Sequence, residues 1–388
     1  MTSLAQEKSQ GNHPHKPAVP VAAATDDRYS RQILFHGIGA EGQARLACSR
    51  VAIVGCGATG TALAALLGRA GVGALRIIDR DYVERSNLQR QSLFDEHDAD
   101  ESLPKAIAAA RKIAAFNSQI VVEPKVDDLV PANIEALLEG IEIILDGTDN
   151  FETRYLINDF AVKNSLPWIY SAAVGSYAAT MNVLPGETAC LACIFPDSPR
   201  GIVDTCETSG ILNSAVNLVA SIAATETLKL LVGDRTGATG GTGATDETKA
   251  PHLPTHPPST LRRTLLSFDL WTNEHAEITA AKPRPGCRAC GERDFIHLAG
   301  EGRPHITLCG RNSVQIHAVR THERQRPIDF TEMDRRLQPH GTVRHNDFVL
   351  KFWHDPYEMT LFPDGRAIIK GTTDTAVARS LYARYVGS

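Results

Sequence analysis

Three groups of residues in the first third of the chain have the types and spacing to handle a nucleotide: Gly55-Cys56-Gly57-Ala58-Thr59-Gly60, then Asp79, then Ser86-Asn87-Leu88-Gln89-Arg90-Gln91 with Lys105 after it. Gly-x-Gly-x-x-Gly at a strand-to-helix turn lets backbone N–H groups approach phosphate, and the helix dipole adds partial positive charge there. A carboxylate about twenty residues further on can accept hydrogen bonds from ribose hydroxyls. This much fits NAD and ATP equally. Arg90 and Lys105 shift the balance, because a hydride-transfer site has to hold a nicotinamide and an uncharged carbonyl, whereas two cations beside a nucleotide suit a triphosphate. Cations so placed stabilise charge that develops on phosphate oxygens.

Further along, Asp146-Gly-Thr-Asp-Asn150 follows an apolar run. A carboxylate there suits Mg²⁺, a hard cation that prefers oxygen ligands; Asp149 with Asn150 could equally begin the next helix as its N-cap. Two Cys-x-x-Cys pairs, Cys190/Cys193 and Cys287/Cys290, can supply four thiolates to Zn²⁺. A closed Cys₄ site of that kind is structural; redox-active or unpaired cysteines are the alternative. Cys206 lies just before a helical stretch, where a thiol's pKa can fall and the group become nucleophilic, or where it is simply structural. Cys48, Cys56 and Cys309 read as small buried or loop residues, and His252 and His256 as solvated loop histidines.

The elements that must position these groups read as an α/β chain. Apolar runs predict strands over 51–55, 75–79, 119–123, 141–146 and 167–171, and helices over 60–71, 104–116, 131–139, 151–164 and 213–232. That alternation is the pattern of a doubly wound, mainly parallel sheet, with nucleotide at the carboxyl ends of the strands. With 388 residues and 43% hydrophobic content the chain can build a sizeable core and more than one domain. A net charge of −5 gives no basic face for nucleic acid. The first 25 residues are polar and read as a disordered tail without the apolar segment of a signal peptide. The apolar stretch 215–232 is interrupted by Asn217, Ser221, Thr225, Glu226 and Lys229, so it reads as a packed helix and not a membrane span. Eight cysteines without an export signal suit thiols and metal ligands in a reducing cytoplasm. Residues 233–260 form a Gly/Thr/Pro-rich flexible insert between the two cysteine pairs. Residues 303–388 read as a small α+β domain whose strands are joined by Pro-Asp-Gly turn chemistry, a binding or docking module with no catalytic spacing of its own.

In this combination the chain resembles the MoeB/ThiF family, relatives of the ubiquitin-activating enzymes. The matching residues are Arg28-Tyr-Ser-Arg-Gln-Ile33, the glycine loop, Ile77-Ile-Asp-Arg-Asp81, Ser86 to Gln91, Pro104-Lys105, Asp146 to Asn150, Cys190-x-x-Cys193, Thr205-Cys-Glu-Thr-Ser-Gly210 and Cys287-x-x-Cys290. The resemblance implies a ThiF-type adenylation domain over 26–232 and 261–295 that adenylates the C-terminal glycine carboxylate of a ubiquitin-like sulfur-carrier protein, for thiamine thiazole or molybdopterin synthesis. It implies Mg-ATP on Gly55, Gly57, Ala58, Gly60, Asp79, Asp81, Ser86, Asn87, Gln89, Arg90, Lys105, Asp149 and Asn150. Arg31 would reach the triphosphate from the partner subunit of a homodimer. Zinc would sit on the four paired cysteines, and Cys206 would occupy the position that in some members links to the carrier. Ala58 stands where many relatives carry glycine, and the chain continues past the family's usual end, as in some bacterial ThiF-like proteins. The rival readings are an NAD-dependent oxidoreductase, a nucleotide-binding scaffold without chemistry, and an adenylating enzyme for another carboxylate or a tRNA base.

Overall fold

The apolar run Val51–Val54 is buried on both sides and forms the centre of a parallel sheet, as the near-continuous hydrophobicity of such strands requires. Five strands run parallel: β1 (Arg50–Val54), β2 (Ala74–Ile78), β3 (Val121–Lys125), β4 (Ile143–Asp146) and β5 (Trp168–Val174), in the order β3-β2-β1-β4-β5. The order reverses between β1 and β4, which is the switch point where doubly wound folds bind ligands. A computed structural model describes residues 27–196, 208–233, 260–300, 312–316 and 328–387. The 1–25 tail, most of the 233–260 insert with His252 and His256, Cys206 and Cys309 therefore lie outside the described residues.

Helices cover both faces of the sheet. They are α1 (Ser30–Leu34), α2 (Gly39–Cys48), α3 (Ala58–Ala70), α4 (Glu96–Asp100), α5 (Lys105–Phe116), α6 (Ile134–Leu138), α7 (Phe151–Lys163), α8 (Leu191–Ile194) and α9 (Asn213–Val232). On one face Leu63 and Leu67 of α3, Ala109 and Ile113 of α5 and Ala223 and Leu230 of α9 close over Ile53, Leu75 and Leu145. On the other, Ile134 of α6 and Tyr155, Phe160 and Ala161 of α7 pack on Val54, Ile144 and Trp168. α9 has the length and mean hydropathy of a membrane span, yet 61% of its apolar window is buried within the protein, so it is a core helix.

Three antiparallel strands extend the sheet beyond β5: β6 (Tyr177–Val183), β7 (Thr264–Asp269) and β8 (Glu274–Thr279). The chain returns to β7 after the insert through Glu226 of α9, whose carboxylate accepts from the Arg262 N–H at 2.9 Å and the Asn182 amide at 2.5 Å.

The C-terminal residues build a second, antiparallel sheet of five strands in the order β10-β11-β12-β13-β9. Its elements are β9 (Ser313–Ile316), α10 (Phe330–Leu337), β10 (Thr342–His345), β11 (Leu350–His354), β12 (Tyr357–Leu361), β13 (Ala367–Lys370) and α11 (Thr375–Tyr385). Asp329 and Asp374 cap the two helices through their carboxylates. Met333, Leu337, Ala378 and Tyr385 pack on one face of the sheet, against Leu350, Phe352, Met359 and Ile369.

Two expectations shift. The third strand lies at Val121–Lys125 instead of 119–123, and the helix read over 131–139 is confined to Ile134–Leu138, ended by Gly140 at φ +70°.

Candidate active site

The glycine loop is shaped by how closely three backbones meet. Gly55 leaves β1 at φ +87°, and a Cβ at Gly60 would lie 1.9 Å from the Gly55 carbonyl oxygen, so α3 can press against the strand end only without a side chain there. Gly147, at the end of β4, meets the same carbonyl; a Cβ there would lie 2.3 Å from it. Gly57 is the residue preceding α3, and above it the nearest atom to an added Cβ is 3.9 Å away. The loop is thus packed tightly underneath and open above the helix N-terminus, where the dipole and free N–H groups favour an anion. Ala58 is the first residue of α3.

Asp79 locks this loop to the acidic segment. Its Oδ2 accepts the Cys56 N–H at 2.6 Å and its Oδ1 accepts the Asp81 N–H at 2.7 Å. Burial holds this carboxyl above the usual range, opposed by the nearby Lys105 ammonium. Cys56 is fully buried, and desolvation followed by the Asp79 charge pushes its thiol well up, so it is an inert packing group.

Lys105 reaches the site because residues 81–83 pair with 103–105. The Lys105 N–H donates to the Asp81 carbonyl at 2.8 Å and the Val83 N–H to the Leu103 carbonyl at 2.8 Å. The Lys105 ammonium is only 3% exposed and lies 3.3 Å from Asp81 Oδ2. A buried ammonium held against the Asp81 carboxylate, with Asp79 close enough to feel its charge, is a prepaid charge beside the loop. Arg80 adds another cation, 3.0 Å from Asp128 and 4.0 Å from Asp81; no spacing argument had singled it out.

The segment from Ser86 is a tight turn organised by Asn87. Asn87 is buried, its carboxamide oxygen accepts the Glu84 N–H at 3.1 Å, and its N–H donates to the Glu84 carbonyl at 2.9 Å. Its carbonyl in turn accepts from Arg90 and Gln91. Asn87 therefore shapes the turn with its oxygen, Ser86 and Gln89 are exposed, and Arg90 folds back to give Nη1 a 2.9 Å bond to the Ser86 carbonyl.

At the end of β4 the two aspartates have different tasks. Asp146 is fully buried and saturated: Thr148 N–H and Oγ1 donate to one oxygen at 2.9 and 2.7 Å, and Arg154 Nε to the other at 2.9 Å. Arg154 itself is buried in α7 and donates to the Thr148 and Ser171 carbonyls. This ion pair fixes the loop and leaves Asp149 as the exposed carboxylate, beside the Asn150 amide at 3.3 Å. Asn150 is the N-cap of α7, its side chain accepting the Thr153 N–H at 2.9 Å. Asp149 thus fits a hard cation, whereas Asp146 has no free oxygen to offer.

Away from this cluster, the four paired cysteines converge across the insert. Sγ separations are 3.8 Å for Cys190/Cys193, 3.6 Å for Cys190/Cys287 and 3.3 Å for Cys193/Cys290, and all four sulfurs lie within 4.8 Å of one another. Sulfurs about 2.3 Å from a zinc ion at tetrahedral angles are about 3.8 Å apart, so the donor set fits zinc. Hydrogen bonds among the thiols pull Cys193 well below the ordinary thiol range and push Cys190 well above it. Arg31 is not brought to the site: it is exposed on α1, and no hydrogen bond or ion pair among the described residues joins it to the glycine loop.

A glycine-packed loop at the switch point of a doubly wound sheet, with an acid at the end of β2 and a buried lysine beside it, defines a nucleotide-binding α/β protein of the Rossmann-like class. The chain belongs to the ThiF family, whose model matches residues 29–289. It is 42% identical over 363 residues to the sulfur carrier protein ThiS adenylyltransferase of Bacillus subtilis (strain 168), a match covering 93% of this chain and 99% of that one. It is 31% identical over 345 residues to the adenylyltransferase and sulfurtransferase MOCS3 of Sus scrofa, covering 87% and 70%. In structure it is similar to E. coli MccB, with a TM-score of 0.54 at 22% identity over 69% of this chain and 76% of that one, a likeness of fold.

Proposed function

We infer that this protein is an ATP-dependent adenylyltransferase acting on the C-terminal glycine carboxylate of a ubiquitin-like sulfur-carrier protein. The observation that carries the reading is the end-to-end match to a ThiS adenylyltransferase, with the cations expected of triphosphate chemistry on the segment after β2. An NAD-dependent oxidoreductase is not favoured.

In the reaction the carrier's terminal carboxylate attacks the α-phosphorus of ATP. A mixed anhydride with AMP forms, the bond between the α- and β-phosphates breaks, and pyrophosphate leaves with the electron pair. A carboxylate is already a nucleophile, so the protein contributes orientation and charge stabilisation and no general base. The loop from Gly55 to Gly60 cradles the nucleotide, with Ala58 adding one methyl group at its helix start. Asp79 keeps a second lone pair on each oxygen for ribose hydroxyls while its first ones hold the loop. Lys105 and Arg90 stabilise phosphate charge, with Asp81 anchoring Lys105, and Ser86, Asn87 and Gln89 forming the turn that presents Arg90. Asp149, next to Asn150, would hold Mg²⁺, which when bound neutralises triphosphate charge. Zinc on Cys190, Cys193, Cys287 and Cys290 would be structural, a closed site with no open position.

Arg31 acts from the partner subunit of a homodimer in this reading, and its exposure on α1 leaves it available to a second copy. Cys206, if it links to the carrier, acts after adenylation. The activated carrier then receives sulfur for thiamine thiazole or molybdopterin synthesis, in a reducing cytoplasm where the thiols persist.

The test is ATP–pyrophosphate exchange with a carrier ending in Gly-Gly. Wild type should exchange only with carrier present, and Arg90→Ala should lose about 100-fold or more, the scale of removing one transition-state charge contact. Exchange without carrier, or full exchange by Arg90→Ala, would overturn the assignment.

A further inference from the structure

The C-terminal sheet grips the two stretches of chain that carry the site's cations. Tyr82, one residue after Asp81, is buried against Val349, Phe362 and Ile368 of the C-terminal part. Its hydroxyl oxygen accepts from Thr360 Oγ1 at 3.3 Å, and the Lys351 ammonium stands 4.1 Å from its ring centroid. The Lys370 ammonium, at the end of β13, is ion-paired with Glu84 and stands 5.6 Å from the same ring. A second grip falls on α5, the helix that Lys105 begins: the Arg111 guanidinium lies 5.8 Å from the Phe348 ring. Ahead of that helix, the Asn346 amide donates to the Glu101 carbonyl at 2.6 Å.

Glu84 is the hinge between the two parts. Its side chain holds Lys370, while its backbone N–H and carbonyl are both bonded to Asn87, the residue whose carbonyl receives the Arg90 and Gln91 N–H groups. A path of three direct contacts thus runs from β13 to Arg90. The partners of Lys370 outweigh the cost of burying its ammonium. Burial alone would lower its pKa, and it stays above the ordinary lysine range through Tyr82 and Glu84.

We propose that the C-terminal sheet is a brace for the triphosphate segment, with Lys370 a positioning residue that holds Arg90 in register through Glu84 and Asn87. The part played by Arg90 rests on the adenylation reading; the bracing itself does not. Losing the grip lets residues 85–91 fluctuate, so ATP binds more weakly to an otherwise folded protein.

The test compares full-length wild type with Lys370→Ala, Lys370→Arg and Glu84→Gln by amide hydrogen exchange without nucleotide and by ATP–pyrophosphate exchange with a Gly-Gly-ended carrier. Lys370→Ala should speed amide exchange across residues 85–91 and raise the ATP KM about tenfold with a smaller change in kcat, within the range of coupling between contacting charges. Lys370→Arg should restore both readouts, and combining Lys370→Ala with Glu84→Gln should add little to either alone. Unchanged protection of 85–91 in Lys370→Ala overturns the brace. So does faster amide exchange with unaltered ATP kinetics, or a loss of activity that only tracks the fraction unfolded. If wild type fails to exchange pyrophosphate, the adenylation reading falls while the amide data still decide the brace.

Discussion

Replacing Lys105 by Met keeps the buried stem and removes its charge, which isolates what the ammonium does. The pair with Asp81 is 3.3 Å long, with Lys105 3% and Asp81 16% exposed. At an effective dielectric of about 20, such a pair has a gross attraction of about 5 kcal/mol. Breaking a buried pair by deleting one partner costs about 3–5 kcal/mol, and Arg80, 4.0 Å from Asp81, retains part of the compensation. The expected destabilisation is about 2–4 kcal/mol, or roughly 2–5 °C in Tm for a protein of this size. Its pH dependence has a definite sign. Burial already raises the Asp79 carboxyl and Lys105 opposes this, so without the ammonium the carboxyl rises further. A carboxyl with a raised folded pKa contributes stability that is complete below its unfolded value near 4 and is lost as pH climbs through the folded value. The deficit of Lys105→Met should therefore be small near pH 5 and widen toward pH 8. Differential scanning fluorimetry across that window measures it, and pyrophosphate exchange at pH 7.5 should fall by about 10²–10³. A variant with wild-type Tm at pH 8 and exchange within about twofold of wild type would refute the assignment of Lys105 to a buried, charge-bearing place in the site.

Cys193→Ser should lower bound zinc from about one per chain to a small fraction, by elemental analysis, and lower Tm with it, because a structural site contributes folding energy. Gly60→Ala should abolish the ATP-induced rise in Tm, since its Cβ would lie 1.9 Å from the Gly55 carbonyl oxygen; an undiminished shift would contradict the tight packing of the loop. Asp159 in α7 is pushed up to about 6 by burial, so it favours folding below about pH 4 and loses that contribution as pH rises through 6. Asp159→Asn should accordingly be more stable than wild type at pH 8, by about 1–3 kcal/mol, the scale of a two-unit shift at a fully buried carboxyl, and the gain should vanish near pH 4.

Where hydrophobic patterning was strong, the sequence reading and the fold agree. Val51–Val54, Leu75–Ile78 and Ile143–Leu145 are continuous apolar runs, and the helix Asn213–Val232 starts and stops where read. Val121–Lys125 was displaced because it is an edge strand, half-exposed and containing Pro124, with little pattern to locate it. Tyr177–Val183 was missed because its small residues, buried at six of seven positions, neither alternate nor form a bulky run, and its partner strand lies beyond the insert. The glycine loop, Asp79 and Lys105 were legible as motif members, but the Lys105–Asp81 contact depends on the pairing of 81–83 with 103–105, which no local spacing reveals. Arg154 was invisible for the opposite reason. A lone arginine in a helix reads as surface, and only the fold shows it buried beneath the Asp146 loop. The grip of Lys370 on Glu84, 286 positions apart, likewise has no sequence signature.

If this protein is an adenylyltransferase for a carrier, the carrier's terminal carboxylate becomes linked to AMP on it. Intact-mass spectrometry of a Gly-Gly-ended carrier, quenched after incubation with the full-length protein, Mg²⁺ and ATP, tests it directly. A carrier species heavier by one adenylyl group should form with ATP and not with NAD, and should be lost with Arg90→Ala. A carrier whose mass never changes while the protein demonstrably binds both carrier and ATP would contradict it.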